Sequence, residues 1–100
     1  MILKLVVPGS IEDAEELRVL EWHGTVGQRF AARELIVELE THKAVVEIRA
    51  AQQAILRRVL AEAGSWQKPG DALALLSDEP TEPLPATATG ETLLVEFEVI

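Results

Sequence analysis

The sequence predicts an all-β sandwich assembled from two similar halves. Residues 34–48 read as two strand-forming runs joined by a tight turn: Leu35, Val37 and Leu39 alternate with Ile36, Glu38 and Glu40, and Ala44 to Ile48 continues as a second, β-branched run. Gly27, Glu34, Ile36 and Leu39 recur 37 positions later as Gly64, Asp71, Leu73 and Leu76, with Val19 matched by Leu56 and Trp22 by Val59. A duplicated half-domain implies internal two-fold symmetry, because each half buries its apolar face against the other. Almost half of the chain is hydrophobic but only 4% is aromatic, so the core must be built mainly from Val, Leu, Ile and Ala.

Taken in order, Ile2 to Val7 forms a first strand, interrupted by Lys4 and stopped by Pro8. It is too short for a secretory apolar region or a membrane span, and the expectation is a cytoplasmic protein with no membrane partner. Ser10 to Leu20 has two readings. Ser10 with Asp13 makes an N-terminal helix cap, whereas the repeat makes Leu17 to Trp22 a strand. Gly27 closes a turn, and Glu34 to Glu40 and Ala44 to Ile48 form the hairpin with Lys43 at its tip. Ala50 to Gly64 again divides. Its Ala, Gln, Leu and Arg favour helix, with Gly64 as a cap, while the repeat places a strand at Ile55 to Leu60. Local preference alone therefore leaves an α+β chain open. Lys68 to Asp71, KPGD, is a turn in which Pro69 presets φ and Gly70 tolerates φ > 0, and Asp71 to Leu76 follows as a strand.

Composition shifts after Asp78. Residues 79–92 are rich in proline and threonine and read as an extended linker, which ends the main domain at residue 78. Residues 93–100, LLVEFEVI, alternate again, with Val95, Phe97 and Val99 on one face and Glu96 and Glu98 on the other. Such a strand should pair, most simply beside Ile2 to Val7 as an added edge, in its own molecule or in a second copy.

A net charge of −8 argues against a nucleic-acid partner, since that affinity is driven by clustered Lys and Arg. Without cysteine there is neither a disulfide framework nor thiolate chemistry. His23 and His42 lack the companions of a metal site, Ser10, Ser65 and Ser77 lack a nucleophile-elbow context, and Trp22 and Trp66 read as packing residues. No catalytic or metal-binding residue is expected.

The stretch LIVELETHKAVVEIRA, preceded by a glycine turn and followed by AGSWQKPGDALALL, resembles the lipoyl domain of 2-oxoacid dehydrogenase complexes, within the biotinyl/lipoyl attachment family. The resemblance spans residues 2–78 and centres on Glu40, Thr41, His42, Lys43 and Ala44, where the family has ETDKA. It implies a flattened barrel of two four-stranded antiparallel sheets, with residues 50–64 holding a turn and a strand. It also implies that Lys43 carries lipoate through an amide bond, in a recognition turn made by Glu40, Thr41, His42 and Ala44. The implied partners are a lipoate ligase or lipoyl transferase and the components of a 2-oxoacid dehydrogenase complex, to which such a domain is a substrate and not an enzyme.

The chain departs from the family pattern in several places. His42 replaces the usual Asp, AQQA at Ala51 to Ala54 replaces a P-x-x-G turn, and Gln28 and Ser65 follow the two repeat glycines where Asp is usual. Two other readings therefore stand beside the lipoyl carrier. One is an unmodified lipoyl-like interaction module. The other is a biotin carrier, although biotin attachment favours Met on both sides of the lysine and here these are His42 and Ala44.

Overall fold

The computed structural model describes residues 1–11 and 14–100. Ten strands run in chain order: β1 Ile2–Val6, β2 Leu17–Trp22, β3 Arg29–Phe30, β4 Leu35–Glu40, β5 Val45–Ala50, β6 Ala54–Val59, β7 Trp66–Gln67, β8 Ala72–Ser77, β9 Glu91–Thr92 and β10 Val95–Val99. They form two five-stranded sheets, β3-β6-β8-β1-β9 and β10-β5-β4-β2-β7, packed face to face. The all-β reading holds. The two four-stranded sheets expected from the resemblance are present, each with one further strand from the C-terminal segment.

The helical reading of Ala50 to Gly64 does not hold, because β6 buries residues on both sides. Leu56 joins the central core, while Ile55 lies outside that cluster yet keeps only 2% of its surface exposed. A helix with one apolar stripe could not do both in this two-layer arrangement. The cap proposed at Ser10 and Asp13 lies partly outside the described residues, but Leu17–Trp22 is strand.

The halves are related by a two-fold axis that exchanges β2 with β6, β3 with β7, β4 with β8 and β1 with β5, and the backbone hydrogen bonds follow it. Gly27 N–H donates to Leu56 O and Gly64 N–H to Val19 O, both at 2.7 Å, so each half closes its glycine turn on the other half's strand. Gly27 and Gly64 have φ of +98° and +94°, where a side chain would strain the backbone. The turns before β4 and β8 match as well. Ala31 N–H donates to the Glu34 carboxylate at 2.9 Å, and Lys68 N–H to the Asp71 carboxylate at 2.8 Å. Arg33, with φ of +76°, occupies the place that Gly70, with φ of +90°, takes in the second half.

Between the sheets lies a core of aliphatic residues and one aromatic ring, Phe30. Strict alternation puts Leu3 and Leu5 of β1 and Val46, Ile48 and Ala50 of β5 inside. In β4 a register shift between Leu35 and Val37 lets Ile36 and Val37 both face inward, which the alternation of the sequence does not foresee.

The last strand does not lie where the sequence places it. Val95–Val99 pairs antiparallel with β5, and only the two-residue β9 pairs with β1, in parallel. The intervening path explains the difference. Arg57 donates to Ser77 Oγ, Glu79 O and Glu82 O, and Arg58 donates to Pro85 O, which holds the segment after β8 against β6. That route delivers the chain beside β1. There Gly90 runs so close to Ile2 that a Cβ would sit 2.8 Å from its carbonyl oxygen. Leu93 then enters the core, 2% exposed, and carries the chain across to the other sheet's open edge. β1 and β5 are two-fold equivalents, so one segment covers both equivalent edges.

Candidate functional site

The β4–β5 hairpin carries the residues singled out in the sequence. Its tip is closed by a side chain, with no glycine at the turn. Thr41, 8% exposed, accepts Lys43 N–H at 3.1 Å and Ala44 N–H at 3.0 Å on its Oγ1, while Thr41 N–H donates to Ala44 O at 2.8 Å. Threonine thus supplies the local side-chain-to-backbone bonds that hold a turn. His42 and Lys43 are exposed at the apex, with Ala44 half-buried below them. Glu40 lies one residue before the turn, with its carboxylate 3.8 Å from Arg18 on β2. The hairpin therefore brings Glu40, Thr41, His42, Lys43 and Ala44 together.

Around the tip lies an open depression of about 720 Å³, lined by Glu15, Glu16, His42, Lys43, Trp66 and Lys68. Its walls come from the loop before β2, the hairpin apex, and β7 with the turn that follows. Register explains how Trp66 reaches this site. Trp66 pairs with Arg18 and Arg18 with Glu40, so the three share one cross-strand row on the outer face. The two tryptophans differ in kind. Trp22 is half-buried, packs on the core and donates Nε1–H to Ala61 O at 2.9 Å, as a packing residue should. Trp66 is 58% exposed, and its reading as a packing residue is corrected. β7 is an edge strand only two residues long, and it leaves the indole mostly exposed.

A row of glutamates crosses the outer face of the same sheet. Glu21 pairs with Glu38, Glu38 with Glu47, and Glu47 with Glu98. His23 Nε2 lies 2.5 Å from Glu38 Oε1 and 3.7 Å from Glu21 Oε2, and Arg49 Nη2 lies 3.0 Å from Glu47 Oε1. The sequence shows the acidic hairpin but not this alignment, because Glu21 and Glu98 join it only through pairing. The surroundings of Lys43 are thus a rigid turn, a strongly acidic sheet face and one exposed indole. They mount the Lys43 side chain at an exposed hairpin apex.

A family model described as "Biotin-requiring enzyme" matches residues 4–76. The chain is similar to proteins named dihydrolipoyllysine-residue succinyltransferase component of 2-oxoglutarate dehydrogenase complex. It is 35% identical to the one from Staphylococcus saprophyticus over 72 residues, covering 72% of this chain and 17% of the relative. With the Haemophilus influenzae protein it is 33% identical over 64 residues, 64% of this chain and 16% of the relative. With that of Buchnera aphidicola (subsp. Baizongia pistaciae) it is 25% identical over 75 residues, 75% of this chain and 18% of the relative. The matched region is thus less than a fifth of each relative's length.

Proposed function

This chain belongs to the biotin/lipoyl attachment family, and we propose that it is a lipoyl carrier domain in which Lys43, joined to lipoic acid by an amide bond, serves a 2-oxoacid dehydrogenase complex. The observation that carries the reading is the exposed Lys43 on a turn locked by Thr41. A residue that must be recognised by a ligase and then visit several active sites needs a fixed backbone and an accessible side chain, and a hairpin tip provides both. The residues fit the group, since Lys43 is exposed at the apex and lines an open depression.

The hairpin supports this role. Thr41 fixes the turn, Glu40 is steadied by Arg18, and Glu38 and Glu47 keep the approach hydrophilic. Acylation removes the charge of the lysine amine. Lipoate, when attached, supplies a dithiolane for reductive acylation, acyl transfer and reoxidation. The relatives' names favour lipoate over biotin, and their 2-oxoglutarate complex makes a succinyl group the first acyl cargo to test.

On this reading the domain is a substrate of a lipoate ligase or lipoyl transferase and of the complex's enzymes, and it works in the cytoplasm. Residues 1–78 form the carrier unit, residues 79–92 its linker and residues 93–100 an added strand. Among the described residues no helix is long and apolar enough to cross a membrane.

Intact mass after co-expression with a lipoate ligase tests the proposal. One lipoyl adduct is expected, and Lys43→Ala should abolish it. A biotin adduct would favour the biotin carrier, an unmodified chain the interaction module, and an adduct surviving in Lys43→Ala would move the site elsewhere.

A further inference from the structure

The indole of Trp66, beside the hairpin, is mostly exposed. All four aromatic side chains of the sequence lie among the described residues. Phe30 is buried, Trp22 and Phe97 are half-buried against the core, and Trp66 alone is mostly in water. An indole has a large apolar face, and leaving it in water forgoes the gain from burial. It also shares one depression with Lys43.

We propose, resting on the lipoyl assignment of Lys43, that Trp66 is a resting surface for the dithiolane of this chain's own lipoyl-lysine. Three considerations point to this occupant. Trp66 stands in the same cross-strand row as Glu40, two strands across, which is roughly 10 Å at the usual strand spacing. A lipoyl-lysine arm has about a dozen bonds of roughly 1.5 Å each, and Lys43 and Trp66 line the same depression, so the arm is long enough to cross it. Because the arm is tethered at Lys43, the ring meets Trp66 at an effective concentration of the millimolar order, which an unattached apolar ligand would rarely reach.

The contact itself is chemically specific. A polarisable sulfur against an aromatic ring favours the docked arm by about two- to tenfold over an arm with no such contact. That is enough to shelter the disulfide for much of the time, and weak enough for any partner active site to withdraw it. Trp66 is a positioning residue and carries out no chemistry.

The test uses the full chain in three forms: unmodified, octanoylated on Lys43, and lipoylated on Lys43, each verified by intact mass. Failure to obtain the lipoylated form would count against the carrier assignment and not against the indole contact. With the adducts in hand, the lipoyl form should quench Trp66 emission by about twofold or more relative to the octanoyl form, independently of protein concentration. Trp66→Leu should remove the difference and leave Trp22 emission in place. The Trp66 indole Nε1–H resonance should shift between the octanoyl and lipoyl forms.

In Trp66→Leu, reduction of the dithiolane by dithiothreitol should also run about two- to tenfold faster, as the S–S bond opens to two thiols and the reagent closes to its cyclic disulfide. Trp66 is mostly exposed, so the variant should fold. Equal emission and identical indole shifts in the octanoyl and lipoyl forms would overturn the proposal, as would a reduction rate indifferent to Trp66→Leu.

Discussion

At the scale of single residues, Thr41 decides whether the lysine has a fixed mount. Its Oγ1 accepts from the backbone N–H groups of both Lys43 and Ala44. Thr41→Val keeps the shape and removes the acceptor. Each lost bond is worth about 0.5–1.5 kcal/mol net, and water can reach part of this exposed apex, so the expected loss is about 1–2 kcal/mol in urea unfolding. Adduct formation at Lys43 should slow in parallel. Unchanged stability would show that the turn is held by strand pairing alone.

Arg33 makes the opposite case, a residue at φ +76° where its two-fold mate is Gly70. A non-glycine residue there costs roughly 1–2 kcal/mol, whereas glycine gives back about 0.4–1 kcal/mol through a freer unfolded chain. Arg33→Gly should therefore stabilise by about 0.5–1 kcal/mol, read as a higher urea midpoint at constant m-value. A lower midpoint would mean that the Arg33 side chain contributes more than the strain removes. The two positions also separate what sequence can show from what it cannot. Gly27 and Gly64 announce their conformation because glycine is itself the signal. Arg33 gives none, and only its alignment with Gly70 could have exposed it.

At the scale of elements, the hairpin and the repeat were legible because period-two alternation and glycine spacing are local facts. The identity of β6 was not, since Gln, Leu and Arg prefer helix and the strand exists only because both of its faces find cover. The destination of β10 was equally hidden. Alternation says that Val95 to Val99 is a strand but not which edge it joins, and the choice was made by Arg57 and Arg58 steering the preceding chain along β6 and then past β1.

Leu93 is the pivot of that crossing and sits in the core. Leu93→Ala should cost about 2–5 kcal/mol, the range for a buried leucine that leaves a cavity. It should also raise amide exchange in β9 and β10 ahead of the remaining strands. A loss below about 1 kcal/mol would show that the C-terminal segment is an ornament to a carrier unit that is already complete.

At the scale of the molecule, the two-fold symmetry of the backbone contrasts with the asymmetry of its charges. The sheet that bears Lys43 aligns Glu21, Glu38, Glu47 and Glu98 across four strands. Like charges directly opposite are destabilising in a sheet, and Arg49 offsets only part of this row. The whole chain adds to it with a net charge of −8. The radius of gyration is 12.5 Å, while the screening length is about 30 Å at 0.01 M salt and about 8 Å at 0.15 M. At low salt every carboxylate therefore feels the rest, and at physiological salt only its neighbours. Repulsion over the whole molecule is relieved first, because the close pairs lie inside the screening length under both conditions.

The melting temperature should accordingly rise between 0.01 and 0.15 M NaCl, by some 4–8 °C for each kcal/mol of repulsion relieved. Glu98→Gln removes a close repulsion with Glu47, which should raise stability at both salts, and one unit of net charge, which should flatten that rise by adding more stability at low salt. A melting temperature that falls with salt would mean that attractive pairs such as Arg18 with Glu40 and Arg49 with Glu47 outweigh the row. The acidic face would then be a net contributor to stability.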